Sequence, residues 1–295
     1  MSSVEDDFQE LSDLLFGAKE RYRSARATIT HTVDGSVAQE SNRRFVEWRF
    51  AQPGGSGMGI LRTDEERRAH GPDVPQDFYL EYEDTEEIYR LWHERPDRWR
   101  EERRSLEGRM LRCVVFGSAR GPRWVYDPPE TAFYVPPSAE ERSPNDPYTD
   151  LSFMLDPSEE LFYYALLDDA TVHKTGRMTT VAGREALEVV VGTISWGYPP
   201  SIFHGFYAPD GTTDHLLLVD AEVGTILRVA ARLEGREFYV AEVTEIAYDE
   251  QFPEGTFRLE LPGVEFYTRQ SRLRKIPHPT FRLRVVWLKK NALSD

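Results

Sequence analysis

The residues of this chain that could do chemistry are scattered along it. Seven histidines, His31, His70, His93, His173, His204, His215 and His278, show no HxxxH, HxH or HExxH spacing, so the sequence writes no metal site. The glycine-rich run at 54–59 (GGSGMG) is followed by no Lys-Ser/Thr and sits in no βαβ unit; it reads as a loop, not a phosphate cradle. Neither Ser56 nor Ser195 stands in GxSxG, so no hydrolase elbow is indicated. The acidic pairs Glu101-Glu102 and Asp168-Asp169 are adjacent, and neighbours on a strand point to opposite faces. Neither pair converges as acid and base without a third carboxylate. What stands out instead is an inventory of large rings: 6 Trp, 16 Phe and 14 Tyr. Such rings fill a core or line a concave apolar pocket, and composition alone leaves both readings open.

Charge and cysteine narrow the classes further. The net charge of -15 argues against a nucleic-acid-binding body, because phosphate neutralisation needs a basic surface. The charge is uneven: residues 263–295 carry eight Lys and Arg against Glu265 and Asp295, so an acidic body ends in a basic extension. Cys113 is the one cysteine, which precludes an intramolecular disulfide. The N-terminal stretch MSSVEDDFQELSDLLF has no basic region, no unbroken apolar run and no small-residue cleavage site, and no window approaches a membrane span. The expectation is a cytoplasmic protein without metal or organic cofactor.

The elements that must position these residues are mostly strands. Val4, Phe8, Leu11, Leu15, Ala18 and Tyr22 fall on one side of an N-terminal helix, which Ser3 and Asp6 start as a capping pattern. Ala27 to Val33 alternates as a strand; Asp34-Gly35 reads as a hairpin turn, with Arg43 to Phe50 as the partner strand. Residues 51–85 read as a loop insertion. Strands are expected at Glu87–His93, Arg98–Arg104, Met110–Phe116, Arg123–Tyr126, Thr131–Val135, Asp168–Val181 and Arg184–Ile194. The clearest block follows, from Asp214 to Phe257. Leu216–Val219, Ile226–Leu233 and Glu237–Tyr248 are period-two strands, with Leu227, Val229, Ala231 and Leu233 on one face against Arg228 and Arg232 on the other. Between the halves, Tyr148 to Leu155 reads as a short helix and Asp156-Pro157 starts a second, apolar nearly all round through Leu161, Phe162, Tyr163, Tyr164, Leu166 and Leu167. In the basic extension, Thr280 to Leu288 reads as a strand that adds to a sheet edge.

Three motifs in order carry a resemblance. They are Glu94-Arg95-Pro96-Asp97-Arg98-Trp99-Arg100-Glu101-Glu102, then Trp124-Val125-Tyr126-Asp127-Pro128, and then the block from Asp214 that ends in Phe252-Pro253 and Phe257. Together they resemble the LolA-like superfamily, which includes lipoprotein carriers and the sensor domain of a sigma-factor regulator. The resemblance, over roughly residues 26 to 260, implies a mainly β (α+β) fold, an unclosed antiparallel β-barrel with a mid-chain helical lid at 148–167, to which the N-terminal helix read above is added. Residues 1–262 would form this one domain, with 263–295 packed on it. It also implies non-enzymatic binding of a lipid or acyl chain in the concavity, with a peptide or protein partner on the same face or at a sheet edge as the alternative. The ligand-lining candidates it implies are Trp48, Phe50, Trp99, Trp124 and Tyr126 on the N-terminal strands, and Met154, Leu155, Phe162 and Tyr163 on the lid. An arginine tethers the lid in the carriers; Arg44, Arg49, Arg98 and Arg100 are the candidates here. The basic extension suggests peripheral contact with an anionic membrane, or an edge strand protected by its charge.

Overall fold

A computed structural model describes residues 4–51, 81–118, 121–128, 131–135, 150–157, 172–192, 211–264 and 266–268. Helix α1 (Val4–Phe16) precedes strand β1 (Ser24–Val33) and helix α2 (Gly35–Ala51). Strands β2 (Thr85–Glu94), β3 (Arg98–Ser105), β4 (Met110–Phe116), β5 (Arg123–Asp127) and β6 (Thr131–Val135) follow as a meander. A 3₁₀ turn at Ser152–Met154 separates them from β7 (Val172–Val181), β8 (Arg184–Gly192), β9 (Asp214–Asp220), β10 (Ile226–Leu233), β11 (Arg236–Tyr248) and the two-residue β12 (Tyr267–Thr268).

Among the described residues all twelve strands form one sheet in the order β12-β6-β5-β4-β3-β2-β1-β11-β10-β9-β8-β7, with every pair antiparallel except β12 with β6. Its edges, β12 and β7, do not pair, so the barrel is unclosed. Strand β1 stitches the halves, pairing along its length with β2 on one side and β11 on the other. The turns follow from local chemistry. Glu234-Gly235 and Ala182-Gly183 both take positive φ, as two-residue hairpin turns demand. At Gly224 a Cβ would lie 2.1 Å from the Leu14 carbonyl oxygen, so only glycine lets the β9–β10 turn close against the end of α1.

Alternation along the strands sorts side chains to two faces. Ala25, Ala27 and Ile29 of β1, Leu91 of β2, Val114 of β4, Val229, Ala231 and Leu233 of β10 and Leu217 of β9 share the principal core with Leu11, Leu15 and Tyr22. On the other face Cys113 and Val115 of β4 meet Phe257 and Leu259, so the segment after β11 covers the outside of β2 to β5.

Three expectations need correction. The Asp34-Gly35 pair starts a helix instead of a hairpin: Asp34 accepts hydrogen bonds from the Val37 backbone and the Ser36 hydroxyl, while Asp84 accepts one from the Gly35 N–H. The buried residues Val37, Ala38, Ser41, Asn42, Phe45 and Val46 recur at helical spacing, and Arg43–Glu47 and Glu40–Arg44 pair one turn apart. Arg43 to Phe50 is therefore helix, and Trp48 and Phe50 lie on α2, off the sheet. The N-terminal helix ends at Phe16, and Tyr22 reaches the core after a separate 3₁₀ turn at Ala18–Glu20. The expected helix over Tyr148 to Leu155 is, among its described residues, only the 3₁₀ turn. Residues 158–167 of the expected lid, with Phe162 and Tyr163, residues 52–80 of the expected 51–85 insertion, and Thr280 to Leu288 lie outside the described residues.

Candidate functional site

Strand β3 contributes side chains both to the inner, concave face that carries the principal core and to the outer face. Trp99, Glu101 and Arg103 point inward; Arg100, Glu102 and Arg104 point outward, where Glu102 is bonded by both arginines. Opposite faces for the adjacent glutamates follow from the pleat. Trp99 is buried and stacked on His93, ring centroids 3.9 Å apart and planes within 6°.

Segment 150–155 lies on this face. Leu151, Phe153, Met154 and Leu155 are all buried in the principal core. Three polar anchors hold the segment. The Glu101 carboxylate accepts the backbone N–H of Asp150 at 2.8 Å and of Leu151 at 2.9 Å. Arg112 donates to the Asp150 carboxylate at 2.5 Å. The Tyr22 hydroxyl donates to the Leu155 carbonyl at 2.9 Å and lies 2.8 Å from His93 Nδ1. Because the single Tyr22 proton goes to Leu155, the His93 Nδ1 carries a proton and donates to Tyr22. Among the described residues Arg112 is the arginine bonded to segment 150–155. Arg44 pairs with Glu40 and Glu234, Arg98 with Glu94, and Arg100 with Glu102, while the Arg49 side chain is outside the described set.

The electrostatics of the anchors are those of a dry site. Burial, with the nearby Asp150 charge, pushes the Glu101 carboxyl up to about 8, against the opposing pull of the Asp150 and Leu151 N–H groups and Arg112. Burial raises the Tyr22 and Tyr89 hydroxyls and lowers His93 to about 3. At the Glu87 and Arg103 end of the same face, away from Tyr22 and His93, His31 is buried between the rings of Tyr89 and Tyr239, centroids 5.7 and 4.4 Å away, and neither ring nitrogen has a hydrogen-bond partner among the described residues. Burial lowers its pKa to about 4.

The proposed ligand-lining residues therefore divide. Trp99, Met154 and Leu155 come together on the concave face. Trp124 and Tyr126 do not join them: with Val125 directed to the principal core, its two neighbours pack on the outer cluster beside Trp92, Phe252 and Phe257, and Trp124 meets Tyr134 at 5.6 Å. Sequence reasoning passed over Glu101, Arg112, Asp150 and the Tyr22 hydroxyl. The signal for Glu101 was present, since the alternation that buries Trp99 buries Glu101 as well.

A groove of about 430 Å³ is lined by Thr32, Asp34, Ser36, Asp84, Glu237 and Phe238; it is polar and lies at the α2 end, away from the anchors. Among the described residues no group of three or more His, Cys, Asp or Glu could hold a metal ion, and no helix is long and apolar enough to cross a membrane.

No protein-family model and no curated protein matches the chain. Solved structures to which it is similar include MucB, at 14% identity and a TM-score of 0.40, covering 86% of this chain and 63% of that one; the chain thus spans less than two thirds of MucB. An uncharacterized conserved protein from Thermus thermophilus is similar at 9% identity and a TM-score of 0.43, covering 89% of this chain and 99% of that one. The LolA superfamily of the sequence resemblance is represented by a protein from Nitrosomonas europaea, at 8% identity and a TM-score of 0.29, covering 88% and 99%.

Proposed function

We propose that the chain binds a hydrophobic ligand, a lipid or acyl chain, on the concave face of its unclosed sheet without catalysing a reaction on it, and that segment 150–155 occupies that face when no ligand is bound. One observation carries this reading. Four buried apolar side chains of the concave core come from a single short turn that belongs to neither the sheet nor a long helix, and side chains of α1's downstream turn and of β3 and β4 hold that turn by hydrogen bonds and one ion pair. A segment anchored in this way can leave as a unit and uncover an apolar floor.

Each methylene buried from water contributes about 0.8 kcal/mol, so affinity should rise with chain length until the floor is filled. The test is mass spectrometry of organic extracts from the purified protein together with titration of fluorescent fatty acids of increasing length. Absence of both retained lipid and saturable binding sinks the reading. The domain assignment goes with it: residues 1–262 as one binding domain, residues 263–295 as an extension whose start pairs with β6, and a cytoplasmic site of action with peripheral contact to anionic membranes. A second reading has its own support, since β7 is the outermost described strand opposite β12 and an extended peptide could pair with it. The register break between Lys174 and Met178 limits such pairing to a few residues.

A further inference from the structure

Arg103 on β3 and Arg112 on β4 are cross-strand partners, and both reach the concave side. Two like charges directly opposite one another are unfavourable unless anions lie with them. Here the anions come from two sources. Glu87, on neighbouring β2, bonds Arg103 at 2.5 and 2.7 Å; Asp150, on the turn at 150–155, bonds Arg112 at 2.5 Å. Asp150 is followed at once by Leu151, Phe153, Met154 and Leu155, all buried on the apolar floor. The segment has the outline of an acidic amphiphile: one carboxylate on an arginine, and beside it a run of apolar groups. The uncommitted ring nitrogens of His31 lie at the same end, where Glu87, Arg103 and Asp150 are its electrostatic neighbours.

We infer that the concave site takes a single-chain amphiphile with an acidic headgroup, carboxylate or phosphate, whose headgroup replaces Asp150 at Arg112 while its chain replaces Leu151 to Leu155. The inference rests on the hydrophobic-ligand reading above and adds the class of headgroup. Arg112 gives the charge-assisted hydrogen bonds, while the Arg103–Glu87 pair and the His31 ring lie at the same end of the face. Glu101 is compatible with this exchange. It already tolerates a carboxylate at the Asp150 position, and burial together with that neighbour raises its pKa to about 8, so at pH 7 it meets the incoming anion as a neutral acid.

The experiment compares, at pH 7 and on the full chain, a long-chain fatty acid, the fatty alcohol of the same length and a lysophospholipid with a terminal phosphate. The wild type should bind the acids about tenfold or more tighter than the alcohol. Asp150→Asn removes the internal competitor without touching Arg112, so it should tighten acid and alcohol by the same factor and keep their ratio. Arg112→Gln alone strands Asp150, so the double variant R112Q/D150N is used; it should bind the alcohol and lose the preference for acids. Equal binding of acid and alcohol by the wild type, or a preference that survives in the double variant, overturns the headgroup inference and leaves the hydrophobic-ligand reading standing. Failure of all three probes to bind any variant overturns both.

Discussion

Glu101 gives the sharpest test of the anchored segment, because its effect on stability has a sign and a pH window. Its pKa is raised to about 8 in the folded protein, from 4.5, by burial first and by Asp150 second. A carboxyl whose folded pKa is raised contributes stability that is fully present below the unfolded pKa and lost as pH rises through the folded one. The loss therefore runs from about pH 4.5 to pH 8. Buried His31, His93 and His215 have the opposite sign, lowered by burial to about 4, about 3 and about 4, and their stability is lost as pH falls below 6.5. Cys113 is raised to about 12 by burial, so it adds a slope only above about pH 8.5. Among the described groups, Glu101 is the one whose shifted pKa gives a slope between pH 6.5 and 8. One group can supply at most about 1.4 kcal/mol per pH unit, hence about 2 kcal/mol across the window. Urea denaturation at half-unit steps from pH 6.5 to 8 should show the wild type losing stability toward that limit and Glu101→Gln staying flat. Gln is less stable at pH 6.5, where its amide NH₂ opposes one of the two backbone N–H groups that the carboxyl accepts, and the curves converge as pH rises. Parallel curves would refute the assignment of this charge to the anchor.

Lowering the pH from 6.5 to 4 should destabilise the protein through the three buried histidines, read as a falling urea midpoint; an unchanged midpoint contradicts their burial as neutral rings. Tyr22→Phe removes the donor to the Leu155 carbonyl and the acceptor for His93 and should cost about 1–3 kcal/mol in chemical denaturation, where a loss near zero would mean that the hydroxyl is solvated. Trp99→Ala should cost about 3–5 kcal/mol, since the ring is buried and stacked on His93. Trp124→Ala should cost less and leave lipid affinity unchanged, because that ring stands on the outer face; loss of affinity in this variant would overturn the placement of the site.

Period-two alternation made the strands legible. Met110–Phe116, Thr131–Val135 and Ile226–Leu233 have the bounds that the pattern gives, and the unclosed antiparallel sheet is the fold that the three ordered motifs imply. The misreading of Asp34 to Phe50 has a physical origin: Asp-Gly serves a hairpin and an N-cap equally well, and the arbiter, Asp84 on the Gly35 N–H, is 49 residues away. Trp124 and Tyr126 share one face by their spacing, but spacing does not say which face; Phe257 and Leu259, which cover it, arrive from beyond β11. Arg112 was missed because its role depends on Asp150, across a stretch in which no local pattern links the two.

The adjacent glutamates of β3 differ in where their partners come from. Both carboxyl groups are buried, and both need partners, since a buried polar group without them is costly. Glu102 has its partners two residues away on the same strand, Arg100 and Arg104, so no rearrangement of the sheet's coverings can remove them. Glu101 takes its two hydrogen bonds from a turn 49 and 50 residues along the chain. On the outer face Glu102 is thus satisfied within one strand. The concave face is complete only while a separate segment sits on it, and any occupant that displaces that segment has to satisfy Glu101 and Arg112 in its place.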